Sequence, residues 1–108
     1  MKFCLNEQTI RKFYSVFSQF PEIEEVVIYG SRAKGNYREG SDIHITLKGE
    51  NVDDAIRKKV YWELDDLNTP YLIDLSVIDF LDSDSLIEHI NRVGKTFYKN
   101  DEKGALIN

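Results

Sequence analysis

GSRAKGNYREGSDIHITL, residues 30–47, is the stretch on which the fold turns. It opens on Gly30-Ser31, runs through a basic, glycine-broken loop, and closes on an alternating segment. In that segment Ile43, Ile45 and Leu47 share one parity, and Asp42, His44 and Thr46 share the other. This two-residue period is that of a strand with one buried face. Just upstream, EEVVIY (24–29) is a β-branched run stopped by Gly30, and it also reads as a strand. The connection between them, about a dozen residues, is longer than a plain hairpin, and long loops in compact domains often carry function.

Working outward, Asn6 is placed to cap a first helix, with Glu7 in its first turn. Ile10, Phe13, Tyr14 and Phe17 then follow the spacing of one buried helical face, and Pro21 ends the segment. Beyond Gly49, Val52, Ile56, Val60, Leu64 and Leu67 recur at helical spacing, with Asn51 or Asp53 available as cap. Asn68-Thr69-Pro70 breaks that helix. YLIDLSVI (71–78) reads as a third strand, with Asp74 and Ser76 on the face opposite Ile73, Leu75 and Val77. Ser83 to Val93 reads as a last helix, with Leu86, Ile87, Ile90 and Val93 inward and Gly94 closing it. The predicted order is α-β-β-α-β-α: an α/β (α+β) domain with a small mixed β-sheet covered by helices on one face. Residues 1–108 form one domain, with a loose tail expected over 101–108.

Composition narrows the class. The chain has 108 residues, 42% of them hydrophobic and 12% aromatic, enough to bury a core in a small domain. No apolar run approaches the roughly 20 residues of a membrane-spanning helix. The N-terminal MKFCLNEQTIRKF has no apolar signal region, and the single cysteine, Cys4, has no internal partner, so a reduced, cytoplasmic setting is expected. A net charge of −5 weighs against a general nucleic-acid binder. Within this acidic chain, Arg32, Lys34, Arg38 and Lys48 make the region after Gly30 locally basic, which suits a small anionic ligand.

Two strands place carboxylates on a polar face: Asp42 on the second and Asp74 on the third. Aspartate is a poor strand former, so two within predicted strands need a purpose beyond solvation, and a bound cation supplies one. If the strands are neighbours in suitable register, Asp42, His44 and Asp74 share one side. A Gly-Ser turn leaving a strand can present backbone N–H groups and a hydroxyl to phosphate oxygens. Each of Arg32, Lys34 and Arg38, taken singly, reads as a solvated loop cation.

Taken together, Gly30-Ser31, the ten residues Arg32 to Ser41, an aspartate-bearing strand and a later strand aspartate resemble the polymerase-beta-type nucleotidyltransferases. GSRAKGNYREGSDI is most similar to the signature of the minimal nucleotidyltransferase (MNT) group, including the MntA-like antitoxins of HEPN/MNT modules. The resemblance covers nearly the whole chain and implies a nucleotidyltransferase fold. It implies that Gly30 and Ser31, with Arg32 and Lys34, hold a nucleoside triphosphate. It implies that Asp42, position 44 and Asp74 bind two divalent cations, Mg²⁺ or Mn²⁺, with Asp42 and Asp74 catalytic and Asp74 helping to activate the acceptor hydroxyl. It further implies transfer of AMP from ATP to a partner protein, a HEPN-domain toxin, which some members modify on a tyrosine. A homodimer is compatible with this reading.

The chain departs from that pattern at His44, where the family has aspartate. Mg²⁺ prefers oxygen ligands, and a neutral imidazole brings one nitrogen and no charge. Three outcomes follow: slowed catalysis with one well-held metal, a preference for Mn²⁺ or Zn²⁺, or a catalytically impaired nucleotide- or partner-binding module. Elsewhere, His89 reads as a solvent-facing or edge residue. Of Tyr61 and Trp62, one reads as core and the other as partly exposed. Tyr37 could stack on a base or sit in solvent, and Cys4 reads as a small buried residue.

Overall fold

The computed structural model describes Phe3 and residues 5–35 and 42–100, with the backbone alone at Ser31 and Lys34. Cys4, Tyr37, Arg38 and the expected tail over 101–108 lie outside the described residues.

Helix α1 spans Glu7–Phe17. Asn6 caps it as expected, its Oδ1 accepting from the Thr9 N–H at 2.7 Å. Phe13, Val16 and Phe17 are buried along one side. Strand β1 (Glu25–Tyr29) follows, and the chain turns at Gly30 into a four-residue helix, α2 (Ser31–Lys34). Strand β2 is Ile43–Lys48, so Asp42 stands just before the strand rather than in it. Helix α3 (Asp54–Asp65) is capped by Asp53, which accepts from the Ile56 N–H at 2.8 Å. Strand β3 (Ile73–Val77) passes into a 3₁₀ turn at Ile78–Phe80. Helix α4 (Asp84–Val93) has Ser83 as its cap, and β4 (Lys95–Lys99) follows.

The predicted order therefore lacks two elements, α2 and β4. A four-residue helix leaves almost no periodic signal. In KTFYK one inward residue, Phe97, stands between lysines, so the strand exists through its pairing and not through its own pattern.

The four strands form one sheet in the order β3-β2-β1-β4. Strand β1 pairs antiparallel with β2 and β4, and β2 pairs parallel with β3, so the sheet is mixed as expected. Residues paired directly in register share a face. One face carries Val26, Ile28, Ile43, Ile45, Leu47, Leu75 and Val77, buried with Phe13, Phe17, Val60 and Leu64 from α1 and α3. Phe97 stands at the centre of an aromatic cluster there, its ring 5.9 Å from Phe13 and 6.2 Å from Phe17, both edge-on. The other face carries Tyr29, His44 and Asp74 in one row and Val27, Thr46 and Ser76 in the next. Helix α4 covers part of this second face, where Ile90 packs with Val27 and Tyr29. Gly94 permits that approach: a Cβ there would lie 2.6 Å from Val27 Cγ1 and 2.4 Å from the Ile90 carbonyl. The polar face is thus open only beyond α4, towards His44 and Asp74.

Candidate functional site

The site begins with register. Tyr29 opposes His44 across β1 and β2, and His44 opposes Asp74 across β2 and β3. Three side chains from three strands therefore stand in a row on one face. His44 Nδ1 lies 3.2 Å from Asp74 Oδ2. The two side chains are 36% and 60% exposed, so the pair is open to a ligand. The Tyr29 and His44 rings lie 5.7 Å apart, and His89 of α4 meets Tyr29 edge-on at 6.5 Å. Burial pushes the Tyr29 hydroxyl above the usual phenol range, and the Asp74 charge adds to it.

The turn after β1 reaches the same place. Gly30 has φ +82°, a left-handed conformation that glycine adopts without strain. A Cβ at Gly30 would approach His44 Cδ2 to 3.2 Å. The backbone of the Gly30-Ser31 turn thus lies directly against the imidazole. Local sequence explains the geometry: the β-branched run Val26–Ile28 holds the strand, and glycine lets the chain reverse into α2 beside β2.

The expected residues distribute unevenly. Gly30, His44 and Asp74 come together. Asp42 is exposed one residue before β2, on the same parity as His44. Ser31 and Lys34 open and close α2. Arg32 takes a different place: its side chain is 2% exposed. Its Nη1 donates to the Phe3 carbonyl at 2.7 Å, and its guanidinium lies 4.8 Å from the centre of the Tyr71 ring. A guanidinium held in this way ties the N-terminal segment and the chain ahead of β3 to α2. Tyr29 is the neighbour that strand-by-strand reading missed, and its signal was its place as the last residue before Gly30.

Among the described residues no three of His, Cys, Asp and Glu gather as a metal-binding group. The exposed carboxylates of Asp42 and Asp74 are hard oxygen donors that suit Mg²⁺ or Mn²⁺. His44 departs from an all-carboxylate set, because it brings one neutral nitrogen where an aspartate would bring oxygen donors and a negative charge. The residues present fit one cation carried in by a triphosphate; they do not fit the second.

Comparison with known proteins gives a consistent picture. The family model described as polymerase beta, nucleotidyltransferase, matches residues 11–103. Among solved structures, a toxin–antitoxin complex with AMP-PNP superposes with a TM-score of 0.67 at 22% identity, covering 92% of this chain and 77% of that one. A tri-AMPylated HEPN toxin of Shewanella oneidensis in complex with its MNT antitoxin gives 0.64 at 16% identity, over 92% and 76%. An MntA–HepT toxin–antitoxin complex gives 0.64 at 16% identity, over 91% and 76%. At these identities the likeness is one of fold. No curated protein matches the chain. No helix among the described residues is long and apolar enough to cross a membrane.

Proposed function

The chain belongs to the polymerase beta nucleotidyltransferase family, and from that premise we propose that it transfers a nucleoside monophosphate, AMP from ATP, to a partner protein. One observation carries the reading. The Gly30 turn lies so near the His44–Asp74 pair that a Cβ at Gly30 would come within 3.2 Å of His44 Cδ2, so a triphosphate on the turn is brought close to Asp74.

The backbone N–H groups of the Gly30-Ser31 turn receive phosphate oxygens, and Lys34 offsets their charge. Asp42 and Asp74 would hold a divalent cation arriving with the triphosphate, which would offset phosphate charge there. The acceptor hydroxyl oxygen forms a bond to the α-phosphorus, the bond from that phosphorus to the bridging oxygen of the β-phosphate breaks, and pyrophosphate leaves. Asp74, whose Oδ2 lies 3.2 Å from His44 Nδ1, takes the hydroxyl proton. The partner is a HEPN-domain protein, a reading supported by the toxin–antitoxin complexes that share the fold. The expected setting is the cytoplasm.

A second reading is favoured by the His44–Asp74 contact itself. Asp74 already has a partner, so the chain can serve as a nucleotide- or partner-binding module with little transferase activity. The two are separated by incubating native protein, Asp42→Ala and His44→Asp with α-labelled ATP, Mg²⁺ or Mn²⁺, and a lysate of the protein's own source as acceptor. Label on the partner from native protein, absent with Asp42→Ala, supports transfer. Label with His44→Asp alone supports the binding module.

A further inference from the structure

The contact between His44 and Asp74 is made by two side chains that remain 36% and 60% exposed. Water screens the attraction within so open a pair, and an imidazole has other rotamers to visit, so the contact does not fix itself.

The neighbours of the ring supply the restraint. Nδ1 and Cδ2 are both bonded to Cγ, so they lie on opposite edges of the imidazole. The Nδ1 edge meets Asp74 Oδ2 at 3.2 Å. The Cδ2 edge faces the Gly30 backbone, where an added Cβ would come within 3.2 Å. The third neighbour is Tyr29, paired with His44 across β1 and β2, with ring centroids 5.7 Å apart and planes inclined at 40°.

Of these three, Tyr29 is the one held from behind. It is 7% exposed and packs with Val27 and Ile90, with Ile78 and Leu86 against the same cluster. His89 of α4 meets it edge-on at 6.5 Å. The ring is thus clamped between α4, the 3₁₀ turn and β2, and it meets His44 as a cross-strand aromatic pair.

Taking the transfer reading as given, we propose that Tyr29 is a positioning residue: its ring holds the His44 imidazole against Asp74, and so limits how far that carboxylate is free to take a cation.

The test has two readouts on the full chain. The first is NMR of the histidine ring nitrogens in isotopically labelled protein, recorded at least one pH unit above the ordinary histidine value of about 6.5, with His44→Asp assigning the His44 signals. A hydrogen bond to Asp74 fixes the neutral ring's proton on Nδ1. Native protein and Tyr29→Phe should show that single tautomer, and Tyr29→Leu should show both in exchange. The second is Mn²⁺ binding in the presence of a non-hydrolysable ATP analogue. Tyr29→Leu should bind about two- to tenfold more tightly than native protein, the range that loss of one aromatic contact allows. Added to His44→Asp, it should give no further gain.

A ring that served packing alone would, on removal, leave the tautomer unchanged and lower Mn²⁺ affinity together with stability. The proposal is overturned if native protein already shows both tautomers, a result that needs no variant. It is equally overturned if Tyr29→Leu keeps the Nδ1 tautomer, if its Mn²⁺ affinity is unchanged or lower, or if Tyr29→Phe behaves as Tyr29→Leu does. Ring signals that change as expected while no protein binds Mn²⁺ with the analogue would sink the transfer reading and uphold the hold of Tyr29 on His44.

Discussion

His44 and Asp74 stand opposite each other on neighbouring parallel strands, with Nδ1 3.2 Å from Oδ2. The family resemblance implies an aspartate at position 44; this chain has there an imidazole in contact with Asp74. On the proposed reading, that contact weakens the hold on a cation. His44→Asp removes the imidazole and adds an oxygen donor, so Mn²⁺ affinity in the presence of a non-hydrolysable ATP analogue should rise by about tenfold or more. Electron paramagnetic resonance of free Mn²⁺ reads this without any turnover. Equal affinity in the two proteins would show that the pair does not control the cation.

Gly30→Ala tests the turn. Its backbone sits at φ +82° and an added Cβ would press on His44 Cδ2 at 3.2 Å. The left-handed conformation alone should cost about 1–2 kcal/mol of stability. Urea denaturation should show the midpoint falling with little change in slope, and ATP-analogue binding should weaken as His44 is displaced.

Arg32 separates folding from binding. Its guanidinium is buried, bonded to the Phe3 carbonyl and close over Tyr71. Arg32→Ala leaves that carbonyl without its donor, which alone costs about 1–3 kcal/mol. Thermal melts should show the loss, whereas nucleotide affinity of the folded fraction should stay near that of native protein. A large drop in affinity with unchanged stability would instead place Arg32 on the triphosphate.

Tyr14 predicts an alkaline effect. Its hydroxyl donates to the Phe97 carbonyl at 2.5 Å, and burial raises its pKa. The folded state therefore disfavours the phenolate more than the unfolded state does. The stability this adds is intact below the ordinary tyrosine value of about 10 and is lost as pH rises through the raised value. Tyr14→Phe should cost about 1 kcal/mol at neutral pH. It should also flatten the fall in stability above pH ~10, as followed by denaturation midpoints at stepped pH.

Much of this was legible in residue order. Asn6, Asp53 and Ser83 cap the three long helices because their short polar side chains satisfy the first free N–H groups. The alternation of Ile43, Ile45 and Leu47 with His44 and Thr46 assigned both faces of β2. Other features were hidden. Trp62 and Tyr61 both lie outside the core, although helical spacing suggested that one would be inside. Helix α4 packs on the second face of the sheet, and β4 closes its edge beside β1.

Residue order alone marks the three long helices, the polar and apolar sides of β2 and β3, the glycine turn after β1, and the family signature from Gly30 to Asp42. Those are local properties, set by side-chain period and backbone sterics within a few residues. Only the tertiary structure decided that His44 meets Asp74, that Gly30 rests against His44, and that Arg32 is drawn under the surface to Phe3 and Tyr71. These contacts join residues far apart in the chain. They exist because strand register and core packing bring them together, and no local pattern encodes that register.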